Sequence, residues 1–230
     1  MRVFLASLFA QLLLNPYVFW RSWKAIPPRL VWRIPLAGIF FAELLLFFFG
    51  YFFHDSLSDG PMQFILYVCG TWYIGLLYLT LCLICLEALR LSDRLFHWFP
   101  RFVRVHWSGL KLGLFFIVPL FVAGLLVRGN WVVRHPVVRH LYLNLPKGEG
   151  NRRDSLKIVL MSDLHIGEMI GKKMVEHEVA LSNAQHPDLV VLVGDLLDLD
   201  LHVAERDNIA ADLRAFRAPL GVYAVNGNHE

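Results

Sequence analysis

The sequence predicts two parts: an N-terminal transmembrane α-helical bundle over residues 1–130, then an α/β unit over residues 131–230. Three observations predict this. Of the 230 residues, 57% are hydrophobic, and the mean hydropathy is +0.50; both are high for an ordinary soluble protein. The apolar residues are gathered before residue 130 into runs long enough to cross a bilayer. After residue 155 short β-branched runs alternate with stretches of helical composition, the pattern of βαβ units.

About four transmembrane helices are expected, each near the ~20 residues that cross a ~30 Å hydrocarbon core. Val3–Trp20 is apolar apart from Gln11 and Asn15-Pro16. Arg2 in front would suit a signal peptide, but no small-x-small cleavage site follows, so the reading is an uncleaved span or signal anchor. Further spans are expected at Ile34–Phe53, Met62–Leu86 and Lys111–Val127. Trp20, Trp23, Trp32, Trp98, Trp107 and Trp131 lie near span ends, where amphipathic rings are most stable. The loops 21–33 and 87–110 are arginine-rich, while 54–61 has no Lys or Arg. The positive-inside rule puts the first two in the cytoplasm, and everything after Arg128 outside. Glu43 lies within a span. It is read as protonated or helix-paired inside the bundle, with transport as a distant alternative because no second charge lies deep in another span.

Trp131–Leu145 alternates loosely and suggests a strand, and Pro146–Ser155 a loop. Leu156–Met161 reads as a strand, and Lys172–Gln185 as a helix with Val175, Val179 and Ser182 on one face. Leu189–Val193 is a second strand, apolar throughout, as when both faces are covered. Ala204–Arg217 reads as a helix with an Ile209, Leu213, Phe216 stripe. Val222–Val225 is a third strand. The β-α-β-α-β order predicts parallel strands with right-handed crossovers, and sites in such sheets lie beyond the strands' carboxyl ends.

All three strand ends carry metal-type ligands. The first runs into Ser162-Asp163-Leu164-His165, the second into Gly194-Asp195, the third into Asn226-Gly227-Asn228-His229-Glu230. A carboxylate beside an imidazole suits a hard or borderline divalent ion. Asp195 is the natural bridging carboxylate because it leaves the middle strand, and Gly194 permits close backbone approach. Asp198 and Asp200 read as solvated loop carboxylates, and His177, His186 and His202 as surface histidines. Gly167–Lys173 is not a phosphate loop: its glycine spacing is one short, and Lys173 stands where Ser or Thr is required. No Gly-x-Ser-x-Gly elbow or cysteine nucleophile is present. The three cysteines, Cys69, Cys82 and Cys85, fall in one apolar segment and read as small packing residues. The net charge of +3 fits basic flanks of membrane spans and does not call for nucleic acid.

Ser-Asp-Leu-His, Gly-Asp and Gly-Asn-His-Glu, in this order over residues 154–230, resemble the calcineurin-like metallophosphoesterases, most closely the membrane-anchored bacterial branch. The resemblance implies a β-sandwich with flanking helices, of which residues 131–230 would be the N-terminal half. It implies two divalent metal ions (Mn, Fe or Zn) clamping a phosphate ester. Asp163 and His165 would bind the first ion with Asp195, and Asn228 the second with Asp195. His229 would face the substrate, protonating the leaving alkoxide or steadying phosphoryl charge.

The expected function is a membrane-anchored hydrolase of phosphate esters, such as lipid-linked ones, with its catalytic unit outside a bacterial cytoplasmic membrane. The family's later blocks, a lone His and a Gly-His-x-His, do not occur in the sequence. The chain as given is therefore expected to bind at most one metal weakly and to be inactive by itself. The alternative is a truncated or degenerate membrane protein with a scaffold or binding role.

Overall fold

The computed structural model describes residues 8–54, 56–146, 154–198 and 201–229. The chain divides into two compact units, Met1–Trp131 and Val132–Glu230.

In the first unit a π-helical turn, Ala10–Leu14, runs into α1 (Asn15–Ala25). Then follow α2 (Leu30–Phe53), α3 (Asp59–Phe96), the short α4 (Arg101–Val105) and α5 (Trp107–Arg134). Helices α2, α3 and α5 are long and apolar enough to cross a membrane, and they contain the second, third and fourth expected spans. Most of their apolar residues are exposed, as lipid-facing helices require. Residues 3–7 of the first expected span lie outside the described residues; the rest of it is helical.

Where these helices touch, apolar, small and polar residues share the contact, and Phe47 of α2 packs with Ile65 and Cys69 of α3. A Cβ at Gly50 of α2 would sit 2.6 Å from the Ile65 side chain of α3, so the glycine allows the close approach. Glu43 is buried, as are Gln11 and Asn15. Gln11 Nε2 donates to Glu43 Oε1 at 2.6 Å, and Asn15 Nδ2 donates to Glu43 Oε2 at 3.1 Å. Gln11 Nε2 also reaches Tyr73 OH at 3.3 Å. The glutamate in the span is thus helix-paired, as one of the two sequence readings had it.

The second unit is built on β1 (Ile158–Met161), β2 (Leu189–Val193) and β3 (Val222–Val225), which form one parallel sheet in the order β1-β2-β3. Ile158 pairs with Leu189, and Val190 with Val222. Helix α6 (Lys172–Ala184) joins β1 to β2, and α7 (His202–Arg206) and α8 (Ile209–Leu213) join β2 to β3. Val175, Val179 and Ser182 form the buried stripe of α6. Val175 and Val179 share one core with Val190, Leu192, Ile209 and Phe216. Asn183 closes the far side, donating to Ala215 O at 2.8 Å and accepting from Arg217 N–H at 2.7 Å.

Three expectations are corrected. The single helix over Ala204–Arg217 is two short helices, broken where Asn208 takes φ 52°; Asn tolerates this left-handed conformation better than most residues. The break does not spoil the stripe, since Ile209 and Phe216 are still buried. The strand over Trp131–Leu145 is absent: α5 continues to Arg134, and residues 136–146 have no regular structure. Val137, Leu141 and Leu145 are exposed there, so the alternation has no sheet face to bury. Finally, β2 is not covered on both faces among the described residues. Strands that add in one direction with crossovers of one hand place every crossover on the same face. The helices bury Val190 and Leu192, while Ile158, Leu160, Val193, Tyr223 and Val225 on the other face remain exposed.

One buried acid sets a pH dependence. Glu178 Oε2 on α6 is buried without a hydrogen-bond partner, and burial pushes its carboxyl pKa from 4.5 up to about 7. The folded unit then keeps a proton that the unfolded chain releases. The contribution of Glu178 to stability is fully present below about pH 4.5 and is lost as pH rises through about 7. Glu178→Gln should remove this slope. Pulse proteolysis in urea at about pH 8 should show the variant more stable by roughly 2 kcal/mol, less than the full shift implies because solvent reaches part of the side chain. Equal stability of the two proteins at that pH would show that the carboxylate is solvated.

Candidate metal centre

The sheet stops at Met161, Val193 and Val225, but the chain keeps pairing beyond it. Asp163 N–H donates to Gly194 O at 3.3 Å, His165 N–H to Asp195 O at 2.9 Å and Ile166 N–H to Leu196 O at 2.9 Å. Asp198 N–H returns to Ile166 O at 3.0 Å, and Gly194 N–H reaches Val225 O at 3.1 Å. These bonds continue the β1-β2-β3 order past the strand ends and hold the three loops side by side.

The loops turn by placing their functional residues in left-handed backbone. Asp163 has φ 57°, His165 φ 45°, Gly194 φ 71° and Asp195 φ 48°. Such a conformation costs a non-glycine residue about 1–2 kcal/mol, least for Asp, whose short polar side chain can bond locally. The bonds to Gly194 O and Asp195 O hold the strain in place, and strain of this kind concentrates at functional sites.

Two glycines set the spacing between the β2 and β3 loops. A Cβ on Gly194 would lie 2.8 Å from Gly227 Cα, and one on Gly227 would strike the Asp195 carboxylate and backbone nitrogen. With neither Cβ present, His229 N–H reaches Asp195 Oδ1 at 3.0 Å. The other carboxylate oxygen, Oδ2, is 4.0 Å from His165 Nε2, and Asp163 Oδ1 is 3.9 Å from the same nitrogen.

Asp163, His165 and Asp195 thus form a three-residue donor group whose ligand atoms all lie within 4.8 Å of one another. A second such group, His165, Asp198 and His229, shares the imidazole of His165 with it. Carboxylate and imidazole together fit a divalent ion of borderline or hard character. Donors around an ion with bonds of ~2.1 Å stand ~3.0–3.4 Å apart, so small side-chain rotations close either group onto one. Asp195 is 13% exposed and His165 32% exposed, while Asp163 at 66% is open to solvent. Asn228 is exposed at the same strand end, and its side chain makes no hydrogen bond among the described residues.

Asp198 corrects the reading of the sequence in part. It is half exposed at 46%, as a loop carboxylate would be, yet its Oδ1 lies 3.4 Å from His229 Nδ1. That nitrogen is buried and has no hydrogen bond of good geometry among the described residues. The His229 ring meets the His165 ring edge-on, with centroids 4.7 Å apart. Nothing local in the sequence marks Asp198, since His229 lies 31 positions on and comes beside it through the β2-β3 pairing. His177, His186 and His202 are exposed. Asp200 lies outside the described residues.

Comparison with known proteins agrees with this chemistry. Over 77 residues the chain is 43% identical to a transmembrane protein with metallophosphoesterase domain from Bos taurus, a match covering 34% of this chain and 17% of that protein. It is 37% identical over 98 residues to a putative metallophosphoesterase of Caenorhabditis elegans, covering 41% and 19%. It is 31% identical over 101 residues to an uncharacterized metallophosphoesterase of Campylobacter jejuni, covering 44% and 25%. The matched stretch is thus a quarter or less of each relative's length. No family model and no solved structure matches. Curated homologues of this chain, bacterial and animal, are named metallophosphoesterases.

Gly227→Ala forces the Asp195 carboxylate away from the His229 amide. Mn²⁺ affinity measured by isothermal titration should fall about tenfold or more, as when a group that orients a metal ligand is lost, with the far-UV circular dichroism unchanged. Undiminished affinity would show that Asp195 is not held where it is needed.

Proposed function

We propose that this homologue of the metallophosphoesterases is a membrane-anchored, metal-dependent phosphoesterase centred on Asp195. The convergence of Asp163, His165 and Asp195 at the end of a parallel sheet is the observation that carries the reading. Asp163 and His165 would hold one divalent ion together with Asp195, and Asn228 with Asp195 would serve the other. When bound, the two ions supply Lewis-acid polarisation of a phosphoryl oxygen and an activated water.

The chain's own groups do the rest. Asp195 stands between the β1 and β3 loops, so both sets of ligands refer to one carboxylate. The His229 backbone amide fixes that carboxylate, and the same residue presents its ring to the substrate. Asp198 beside Nδ1 sets the tautomer and orientation of the ring, leaving Nε2 to face the phosphoryl group or its leaving oxygen. Asp198 is therefore a positioning residue, and His229 the group that touches substrate. The exposed apolar face of the sheet supports the finer fold expectation, a second sheet packed there to complete a β-sandwich.

Activity is measured on the protein as its own cells make it, with Mn²⁺ and bis-p-nitrophenyl phosphate. Asp195→Asn should abolish turnover and lose bound metal by elemental analysis. Asp198→Asn should keep the metal and lower kcat by about 10²-fold, the scale of a general acid. Equal metal loss in the two variants would show that the bridging carboxylate is misassigned. Metal binding without any turnover in the unsubstituted protein would favour a scaffold role.

The substrates proposed are phosphate esters at a membrane surface, reached from the external face. Arginines in the segments 21–33 and 87–110, largely helix ends and short connections, support that orientation through the positive-inside rule. A reporter active only outside the cytoplasm, fused after Leu145, should be active. Activity at that point of a reporter confined to the cytoplasm would reverse the orientation.

A further inference from the structure

A groove of about 190 Å³ opens between α1, α3 and α5, at the end of the bundle where α1 ends and α5 begins. Its walls are apolar along the helix axes. Leu79 and Leu83 on α3 line one side, and Leu114 and Val118 on α5 the other. Each pair is spaced i, i+4, and the lining continues from Leu79 to Arg90 on α3 and from Trp107 to Pro119 on α5, so the groove runs along the helices for about three turns, ~16 Å. Water gains little in a slot with such walls.

The mouth of this groove is cationic. Arg21, Lys24, Arg90 and Lys111 all line it, together with Trp107. Arg21 is paired with Glu87 at 2.8 Å. Among the described residues Lys24, Arg90 and Lys111 have no carboxylate partner. Two of these are steadied by aromatic faces instead: Lys24 Nζ lies 3.9 Å from the Trp20 ring centroid, and the Arg90 guanidinium carbon 5.0 Å from that of Trp107. A cation over a ring keeps its N–H groups available to an anion. The cations come from three separate helices and converge on one opening, which a merely solvated basic loop does not require.

We propose that this groove binds one anionic phospholipid, with its phosphate on Lys24, Arg90 and Lys111 and part of one acyl chain between α3 and α5. An anionic headgroup matches the unpaired charge, and an acyl chain matches the walls. Basic pockets between spans hold acidic lipids by these two contributions together. The site lies wholly within the membrane unit and does not rest on the phosphoesterase reading.

Native mass spectrometry of the purified chain, released from detergent with added lipid, tests it. Phosphatidylglycerol should be retained at least tenfold over phosphatidylcholine. Lys24→Gln with Lys111→Gln should cut that retention by about 30-fold, at ~1 kcal/mol for each cation, and the Lys→Arg pair should restore it. Arg128→Gln with Arg134→Gln, at the other end of α5, should change nothing. Leu83→Trp keeps every cation and fills the slot, so it should also lower retention; it serves if the double Lys variant fails to fold. Inorganic phosphate at about 10 mM should not displace the lipid. Equal retention of the two lipids, full displacement by phosphate, or equal loss in the Arg128/Arg134 variant would overturn the proposal.

Discussion

The candidate centre depends on how closely the ends of β2 and β3 approach one another. Gly194 and Gly227 meet where a methyl on either would collide with backbone or with the Asp195 carboxylate. That approach lets the His229 amide hold Asp195 Oδ1 at 3.0 Å. With one oxygen held, the other points towards His165 and Asp163. A carboxylate fixed in this way costs little further ordering when a cation arrives, which is the advantage of preorganisation. The left-handed backbone at Asp163, His165 and Asp195 belongs to the same arrangement: local strain held by hydrogen bonds between the loops.

The sheet that carries the centre has two unlike faces. Because its strands add in sequence order, α6 and α8 share one face and one core. The opposite face keeps Ile158, Leu160, Tyr223 and Val225 exposed. Contiguous exposed apolar patches of this kind mark an interaction surface. The membrane unit solves a different problem. There lipid covers apolar side chains, and it is polar groups that need partners. Gln11 and Asn15 answer the carboxylate of Glu43 from neighbouring elements, and Gln11 also reaches Tyr73. The network ties the first helical segment to the spans, since an unanswered carboxylate in hydrocarbon is costly.

Much of this was legible in the residues themselves. Periodicity and β-branching located all three strands, with β2 and β3 at their observed limits, and hydropathy located the three long helices. The ligand types at the strand ends pointed to metal chemistry, and Asp163, His165 and Asp195 do come together there. Local chemistry decides such features: a β-branched run favours extended backbone, and a 20-residue apolar run has nowhere stable to go except a membrane or a core.

Tertiary structure decided the rest. Asp198 looked like a loop carboxylate because its partner, His229, is 31 residues away and reaches it only through the β2-β3 pairing. The break at Asn208 and the lost strand at 136–146 depended on what each segment had to pack against. The partners of Glu43 are Gln11, 32 positions earlier, and Asn15, 28 positions earlier. The physical reason is common to all of these. Sequence determines which backbone conformation and which chemistry a segment prefers, whereas the partner of a charge or a strand edge is set by contacts between distant segments, which only the folded chain brings together.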